Sequence, residues 1–496
     1  MTSKNHYYTT KVVKMGKWSA LPLDAESWYG NKSSEYFRKQ FGIYKGLLCL
    51  YSSEFIHCYV PEELLKNLNQ QIIQINRKNF KSLEGKLKDF YPLVKKAKTA
   101  ITPKTVIDYS KLSNKKIIDK FLFIRDWVRR ITIFDQFGFI GENYLTTTLE
   151  DILVNKLCLL KNSEEYNKTL FILTKPEEIS TTLSEKRFVL QQAIEIKNKK
   201  TSLEKASKKL AKAYGWMPVF CYGDPWDNIY YQKELKMLSK KSLGQLENEY
   251  IKLKSYKKLR NKNIKSIILK YKISPQDLQK FTDFGLALDT RNEAEYFVSY
   301  AGFQLLPLYK EIAKRLYISI NQTRLLYETE IVDCLLREKD AGKFLELNGK
   351  FRGFGYNKIM SKRFNFSGGE VTKLFSHIER RANSIQGDNE QQGVCASPGK
   401  TQGFVRIISS PEQNDRVNDG DILITYATTV DYLPAMKKAA AIITEVGGLT
   451  CHAAVISREF GIPCIVAVKN AMKNFKDGDL VEVDANRGMV KILKKT

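Results

Sequence analysis

A histidine follows a double glycine in the segment TEVGGLTCHAAVISRE, at residues 444–459 of a chain that has only four histidines. The apolar run AAAIIT before it predicts a buried strand, and the Gly447–Gly448 pair predicts a turn with unusual backbone freedom. Thr450 is a favourable N-cap residue, and apolar residues at helical spacing continue to Gly461, a residue typical of a helix end. The pattern therefore predicts that His452 lies in the first turn of a helix that starts beyond a strand.

The start of a helix at such a turn suits a negatively charged group. Unpaired backbone N–H groups and the helix dipole attract anions there, Gly447 and Gly448 allow close approach of the backbone, and the Thr450 hydroxyl can donate a hydrogen bond. The positive helix end also lowers the pKa of an imidazole, which keeps His452 neutral and nucleophilic. Such a histidine suits covalent acceptance of a phosphoryl group. The alternative is a hydrogen-bonded, buried histidine behind a structural turn, and position alone does not separate the two.

Other polar residues near this histidine have two interpretations each. The backbone of Cys451 either shapes a phosphate pocket or its thiol fills space. Arg458 lies one and a half turns beyond His452, so its guanidinium faces either the phosphate or the solvent. Thr428, Thr429 and Asp431 are candidates for the mouth of the site. The chain shows no histidine or cysteine spacing that is typical of a metal centre, so we expect no metal ligands here.

The C-terminal part of the chain, residues 394–496, predicts a compact α/β domain. Short β-type runs are separated by Gly/Asp turns: GFVRIIS, GDILITYA, AAAIITE, IPCIVAV, DLVEVD and GMVKILK. Two helical patterns, VDYLPAMKKA and TCHAAVISREFG, lie between them. The alternation of strands and helices indicates an α/β arrangement, and the polar stretch QGDNEQQG at 386–393 predicts a linker before it.

Residues 1–385 predict a large, mostly α-helical N-terminal region. Most of its segments place apolar residues three and four positions apart, as in SNKKIIDKFLFIRDWVRR. Pro61 is followed by two glutamates, which predicts the start of a helix. The stretch CYGDPWDN at 221–228 is rich in Gly, Pro and Asp, so a division into two subdomains is placed near 221–240. The chain is therefore expected to be multidomain.

Charge and composition limit the classes of function. The net charge is +27, but residues 394–496 hold 13 Lys/Arg and 11 Asp/Glu, so nearly all the excess lies in the helical region. The basic region lacks helix-turn-helix, zinc-finger and RNP-type patterns, so nucleic acid is an unlikely partner. An anionic substrate or an acidic partner is a better explanation of the charge, and the alternative is an ordinary solvated surface rich in lysine. The chain shows no leader-like start and no apolar run of about 20 residues. With eight scattered cysteines, these features predict a cytoplasmic protein with free thiols and no membrane association.

Three stretches of the C-terminal domain together resemble the mobile, or swivelling, phosphohistidine domain of phosphoenolpyruvate-utilising enzymes. They are VCASPGKTQGFVRII, TTVDYLPAMKKAAAIITEVGGLTCHAAVISREFGIPCIVAV and DGDLVEVDANRGMVKIL, within residues 394–494. That family includes phosphoenolpyruvate synthase, pyruvate phosphate dikinase and the rifampin phosphotransferases. The resemblance implies that His452 carries a phosphoryl group and that Thr450 assists it. It also implies that the domain swings between a nucleotide site and an acceptor site.

The resemblance covers a fifth of the chain, and other modules of these enzymes are not recognisable in the rest. We find no glycine-rich phosphate loop with its lysine, since Gly353 and Gly355 do not fit G-x-G-x-x-G spacing. An ATP-grasp module and a C-terminal phosphoenolpyruvate/pyruvate barrel are likewise not apparent. We therefore expect ATP and Mg²⁺ to bind at the site of an ATP-grasp-containing partner protein, with no cofactor held tightly by this chain.

A weaker resemblance concerns the helical region. RLYISINQTRLLYETEIVDCLLREK, with Glu328 and Glu330, resembles the helix that precedes the swivelling domain in rifampin phosphotransferase-type proteins. In those antibiotic kinases the helical region holds the acceptor. The resemblance thus makes Asp224, Trp226 and Asp227 candidates for an acceptor pocket, with an ordinary loop as the alternative.

Two hypotheses follow. The first is a phosphotransferase component, in which His452 accepts a phosphoryl group from ATP or phosphoenolpyruvate through a nucleotide-binding partner and passes it to an acceptor. The second is a non-catalytic scaffold or regulatory relative, whose basic helical body binds a partner or nucleic acid. The acceptor stays open between pyruvate, an antibiotic-like alcohol and a partner protein.

Overall fold

The computed structural model of the chain has two compact units. One combines Met1–Gly141 with Tyr300–Gln386, and the other combines Glu142–Ser299 with Gly387–Thr496. We refer to them as unit 1 and unit 2. The residues that the structure describes are 12–19, 47–52, 55–61, 87, 89–161, 163–220, 224–348, 351–357, 362–367, 373, 390–449 and 451–496.

Helices make up most of the described N-terminal region, as the sequence predicts. In chain order the helices are α1 (Phe90–Ile101), α2 (Asn114–Asp151), α3 (Glu164–Leu173), α4 (Thr181–Lys197), α5 (Leu203–Tyr214), α6 (Asn228–Ser239), α7 (Leu243–Lys254), α8 (Tyr256–Tyr271), α9 (Pro275–Leu316), α10 (Ile320–Leu325), α11 (Glu328–Arg337), α12 (Ala341–Asn348), α13 (Leu433–Lys438), α14 (His452–Phe460) and α15 (Ala471–Asn474). Serine side chains accept a hydrogen bond from the third helical N–H at the starts of α3, α4, α5 and α7, which explains where these helices begin.

Unit 1 contains an antiparallel sheet that corrects part of the helical prediction. Its order is β1-β3-β2-β4-β5, with bounds Val12–Ser19, Leu47–Ser52, Phe55–Pro61, Phe351–Asn357 and Lys362–Ser367 for β1 to β5. Pro61 is thus the last residue of a strand rather than the first of a helix. Short apolar runs such as LLCLYS do not distinguish a strand from a buried helix, and the pairing of β2 with β4 joins segments about three hundred residues apart in sequence.

A buried ion cluster stabilises the helices of unit 1. Arg125 and Arg129 of α2 both donate to Oε2 of Glu328 at the start of α11, and the Arg125 Nε contact is 2.8 Å. Burial opposes ionisation of Glu328, but the two guanidinium groups outweigh it and lower its pKa to about 2. Glu330 instead accepts a hydrogen bond from the Tyr327 backbone N–H at 2.8 Å and caps the same helix. Both glutamates are therefore structural in this unit.

The helical part of unit 2 includes α3 to α8 and the first part of α9. An interhelical segment overlaps the predicted loop at 221–228, since α5 ends at Tyr214 and α6 begins at Asn228, and the division into two subdomains near 221–240 stays a prediction. These two helices nevertheless pack against each other within the same unit. Residues 221–223, the first three of the predicted loop, lie outside the described part of the chain.

The C-terminal part of unit 2 is the predicted α/β domain. Its mixed sheet has the order β6-β13-β12-β8-β9-β10-β11-β7, in which β8, β9, β10 and β11 are parallel. The bounds of β6 to β13 are Glu390–Gln392, Val394–Ser397, Lys400–Ile407, Ile422–Thr425, Ala441–Thr444, Cys464–Val466, Leu480–Asp484 and Met489–Lys494. All six predicted strands and both predicted helices, α13 and α14, are present. The strands β6, inside the predicted linker segment, and β7 were not predicted, and neither was the short helix α15.

The core of this domain is built from aliphatic side chains of the parallel strands. Val405, Ile422, Ile443 and Ile465 are fully buried, and each lies on a different one of β8 to β11. This core fixes the carboxyl end of β10, from which the glycine turn departs. Across the described ranges of the chain, we find no helix with the length and apolar character required to cross a bilayer.

Candidate functional site

The glycine turn connects β10 to α14 in a conformation that requires its first glycine. Gly447 has a φ of +125°, and a Cβ atom at this position would lie 2.9 Å from Cys451 Sγ. The backbone N–H of Cys451 donates to the Gly448 carbonyl at 3.1 Å, which closes the turn. The helix begins at His452 with Cys451 as its N-cap, one residue later than the predicted Thr450 cap. Thr450 itself lies outside the described residues.

His452 is buried, with 4% of its surface exposed. Its Nδ1 is 3.0 Å from Thr428 Oγ1, and its Nε2 has no hydrogen-bond partner among the described residues. Burial, followed by the nearby charge of Arg291, lowers the pKa of His452 to about 3. The ring is therefore neutral at physiological pH, as predicted, although burial is the main cause.

Backbone donors surround the start of α14. The first hydrogen bond within this helix runs from the Val455 N–H to the Cys451 carbonyl at 3.0 Å. The N–H groups of His452, Ala453 and Ala454 therefore precede the helical hydrogen-bond ladder and are the donors that a helix N-terminus offers to an anion. A phosphoryl group bound to the imidazole contacts these donors when the phosphorylated ring nitrogen faces the start of α14.

Arg458 holds the glycine turn against the helix. Its Nε donates to the Ala454 carbonyl at 2.9 Å, and a terminal nitrogen donates to the Leu449 carbonyl. Burial lowers the pKa of this guanidinium from its ordinary value, against the opposing effect of nearby thiols including Cys451. Arg458 is thus placed to keep the backbone of the turn in position, with its donors directed at carbonyl groups.

The three candidate mouth residues separate into two roles. Thr428 contacts the imidazole directly. Thr429 donates its hydroxyl hydrogen to the Asp431 carboxylate, and the Asp431 carbonyl accepts from Asn414 at 2.7 Å. Thr429 and Asp431 therefore build the short turn that presents Thr428.

The sequence did not reveal Arg291, which α9 places near His452. Arg291 is 7% exposed, and its charge contributes to the lowered pKa of the imidazole. The next residue, Asn292, is 3% exposed, and neither amide atom has a hydrogen-bond partner among the described residues. The available signal was the run of four polar residues DTRN, which begins at Asp289 inside a long helix and is buried throughout, but the surroundings of these residues are remote in sequence.

Glu459 is a second functional candidate that the sequence did not indicate. It lies seven residues after His452, so both side chains project from similar faces of α14. Its carboxyl group lies near the hydroxyl groups of Ser180 and Thr182 at the start of α4, and its Oε2 has no hydrogen-bond partner among the described residues. Burial, with a further contribution from Glu293, raises the pKa of Glu459 to about 7. The α14 face that carries His452 is therefore packed against the helical part of unit 2.

The three candidate pocket residues lie where the chain enters α6. Asp227 caps this helix by accepting from the Tyr230 N–H at 2.8 Å, and Asp224 is exposed. Trp226 is buried, stacks on Tyr230 at 4.4 Å between ring centroids, and lies 4.9 Å from the ammonium group of Lys437. Of the three, Trp226 contacts the α/β domain, and the contact is with α13 rather than with His452.

We find no cluster of His, Cys, Asp and Glu suited to a metal ion in the part of the chain that the structure describes. The described groups of the site are an imidazole, helix N–H groups, a threonine hydroxyl and a nearby guanidinium. These groups can hold an anion and supply a neutral nitrogen nucleophile.

Residues 417–488 match the family described as "PEP-utilising enzyme, mobile domain". The chain is 50% identical over 99 residues to a probable phosphoenolpyruvate synthase of Methanothermobacter thermautotrophicus, which covers 20% of this chain and 14% of the relative. It is 52% identical over 99 residues to the phosphoenolpyruvate synthase of Pyrococcus furiosus, covering 20% and 12%. A phosphoenolpyruvate synthase of Deinococcus radiodurans is 42% identical over 111 residues, covering 22% and 14%. The similarity thus spans about an eighth of the length of these relatives.

Proposed function

We propose that this chain, whose C-terminal domain is a mobile domain of the PEP-utilising enzyme type, is a phosphotransferase component with His452 as the phosphoryl carrier. The observation that carries the proposal is a neutral, buried imidazole at a helix N-terminus, with Nδ1 against Thr428 and Nε2 without a partner among the described residues. The names of the matching synthases support the same class of chemistry.

The hydrogen bond to Thr428 selects the reacting nitrogen. In the tautomer with Nδ1 protonated, Nδ1–H donates to Thr428 Oγ1, and Nε2 carries the lone pair. That lone pair attacks phosphorus, an N–P bond forms, and the P–O bond of the donor breaks with its electron pair on the leaving oxygen. The proton stays on Nδ1 and remains hydrogen-bonded to Thr428 Oγ1.

Transfer to the acceptor reverses the bonding change. An acceptor oxygen attacks phosphorus, the N–P electron pair returns to Nε2, and the acceptor releases its proton to water. The charge on the transferred group is stabilised by the N–H groups at the start of α14 and by the guanidinium of Arg291. Thr450 is proposed to assist as the family resemblance implies, and Gly447, Gly448 and Cys451 supply the backbone shape of the site.

The donor and the partner belong to the same proposal. We propose that the phosphoryl group comes from ATP or phosphoenolpyruvate at the Mg²⁺-dependent site of an ATP-grasp-containing protein. In this arrangement the α/β domain moves between that partner and the helical part of its own chain. The acceptor is held by the helical part or by a third protein, and Asp224, Trp226 and Asp227 stay the candidates for its pocket.

Intact mass tests the carrier role. The protein is incubated with ATP/Mg²⁺ or with phosphoenolpyruvate/Mg²⁺, alone and with an ATP-grasp protein encoded near it, beside a His452→Ala variant. We expect one acid-labile phosphoryl group on the native protein and none on the variant. Potassium phosphoramidate, which phosphorylates histidine chemically, serves as a control for reactivity of the imidazole. An absence of enzymatic labelling under every combination, with the protein folded, would remove the carrier proposal.

The scaffold alternative has one observation in its favour. Helix α8 contains six basic residues and no acidic residue, and Lys258, Lys262 and Lys265 are exposed at helical spacing on one side of it. Such a face suits an acidic partner. If His452 stays unlabelled while the protein binds an acidic partner in a salt-dependent way, the scaffold function replaces the carrier function.

A further inference from the structure

The C-terminal end of α13 places a lysine of the α/β domain inside the helical part of unit 2. The Lys437 Nζ atom lies 3.4 Å and 3.5 Å from the two carboxylate oxygens of Glu185 on α4. It lies 3.4 Å from the Tyr230 hydroxyl and 3.8 Å from a carboxylate oxygen of Glu234, both on α6. Charge from several sides, rather than a single short hydrogen bond, therefore holds the ammonium group.

Two aromatic rings complete the surroundings of this ammonium group. It lies 4.9 Å from the centroid of Trp226 and 5.8 Å from that of Tyr230, and these two rings are stacked on each other. We call Glu185, Trp226, Tyr230 and Glu234 the lysine cage. All four belong to the helical part of unit 2, whereas Lys437 belongs to the α/β domain.

The cage stabilises the charged lysine but becomes unfavourable without it. Burial alone favours a neutral amine, but Glu185 and Glu234 outweigh it and hold the pKa of Lys437 well above its ordinary value. Glu185 has a side chain only 1% exposed, and burial raises its pKa despite the opposing effect of Lys437. Removing the lysine would leave this carboxyl buried without its counter-charge, which is strongly unfavourable.

We infer that Lys437 is the positioning residue that docks the α/β domain onto its own helical region and thereby encloses His452. In this docked arrangement the imidazole is 4% exposed, so a donor on another protein reaches it only after the domain leaves. The departure requires Lys437 to leave the cage and return to water. The functional meaning of this docking rests on the proposed carrier role of His452, whereas the docking itself does not.

Chemical accessibility of the imidazole tests the docking directly. Diethyl pyrocarbonate modifies neutral histidine, and mass-spectrometric peptide mapping of the full chain follows His452, with the other three histidines as internal references. We expect Lys437→Met to raise the modification rate of His452 by at least about tenfold, because the loss of one partner of a buried ion pair strongly disfavours the docked state. Lys437→Arg, which keeps the charge, is expected to retain most of the protection.

A neighbouring lysine provides the matched control. Lys438 donates to the Val417 carbonyl at 3.1 Å within the α/β domain itself, so Lys438→Met should leave the His452 rate unchanged. The double variant Lys437→Met/Glu185→Gln should recover part of the protection, because it removes the unpaired carboxyl along with the lysine. A merely destabilised fold would not show this recovery, and circular dichroism of each variant checks folding.

Two outcomes would overturn the inference. One is a His452 rate in Lys437→Met equal to that of the native chain, and the other is an equal increase in Lys438→Met. The measurement needs no phosphoryl donor or acceptor, so it can succeed when enzymatic labelling fails. Conversely, labelled His452 with no effect of Lys437→Met would retain the carrier and remove the docking role.

Discussion

Replacement of Glu459 by glutamine should change how the docking of α14 depends on pH. Its folded-state pKa of about 7 lies above the ordinary value of 4.5, so the folded state binds a proton more tightly than the open state does. Stability from this group is complete below pH 4.5 and is lost as pH rises through 7. The difference corresponds to about 3 kcal/mol, or a few hundredfold in the opening equilibrium.

The structure explains why glutamine should be tolerated. The carboxyl group lies near the hydroxyl groups of Ser180 and Thr182, and an uncharged amide of the same size can face the same two hydroxyl groups. Glutamine cannot ionise, so it avoids both the desolvation cost of a buried carboxylate and the charge repulsion from Glu293. We expect the variant to be more stable than the native chain at pH 8 and similar to it at pH 4.5.

Hydrogen exchange of the α4 and α14 peptides measures the effect locally, without requiring both units to unfold together. Exchange is followed between pH 5 and 8, with correction for the intrinsic pH dependence of amide exchange. Native protection should fall by about seventyfold between pH 5 and 8, because part of the full change lies outside this range, whereas Glu459→Gln should stay nearly flat. Glu412→Gln changes an exposed glutamate of the same domain and serves as the control. Equal pH dependence in the native chain and Glu459→Gln would refute the reasoning.

Two further changes test the candidate site and the buried ion cluster of unit 1. Arg291→Met should slow phosphoryl transfer to His452 by about a hundredfold, because one donor that stabilises the transferred charge is lost. The same change should raise the pKa of the imidazole, and the pH profile of its reaction with diethyl pyrocarbonate measures this shift. An unchanged transfer rate and profile would exclude a role for this guanidinium. Glu328, with a pKa of about 2 against an ordinary 4.5, should contribute about 3 kcal/mol to unit 1 above pH 4.5 and lose it as pH falls through 2. Hydrogen exchange of the α11 peptide should show this acid sensitivity in the native chain. Glu328→Gln should be destabilised already at pH 7, and equal protection of the two proteins at that pH would contradict the stabilising role of Glu328.

The α/β domain was predictable because its local signals agree with its fold. Each predicted strand is a short apolar run bounded by Gly or Asp turns, and the two glycines before His452 predict the turn that the structure contains. The sheet of unit 1 was not predictable in this way. Its strands LLCLYS and FRGFGYN become a pair only through a contact between remote segments, and their composition does not select a strand over a buried helix.

The candidate site shows the same difference between residues fixed by local sequence and residues fixed by contacts between remote segments. The residues of one loop, such as Gly447, Cys451 and His452, follow from spacing because the backbone alone brings them together. Arg291 and Glu459 acquire their roles from contacts between α9, α4 and α14, which no local pattern encodes. Arg458 shows the intermediate case, since spacing left its guanidinium facing either the phosphate or the solvent, and its bonds to backbone carbonyls were not predicted.

The chemistry of the contact between the two parts of unit 2 bears on whether they can separate. A permanent contact is usually rich in apolar side chains, and its separation would expose a large apolar surface to water. Here the contact contains Lys437 with its carboxylates, Glu459 with two hydroxyl groups, and Arg291 near a neutral histidine. On separation each charged or polar group regains water, which offsets the loss of its partner. A surface of this kind suits repeated docking and release, as the proposed carriage of a phosphoryl group between two sites requires.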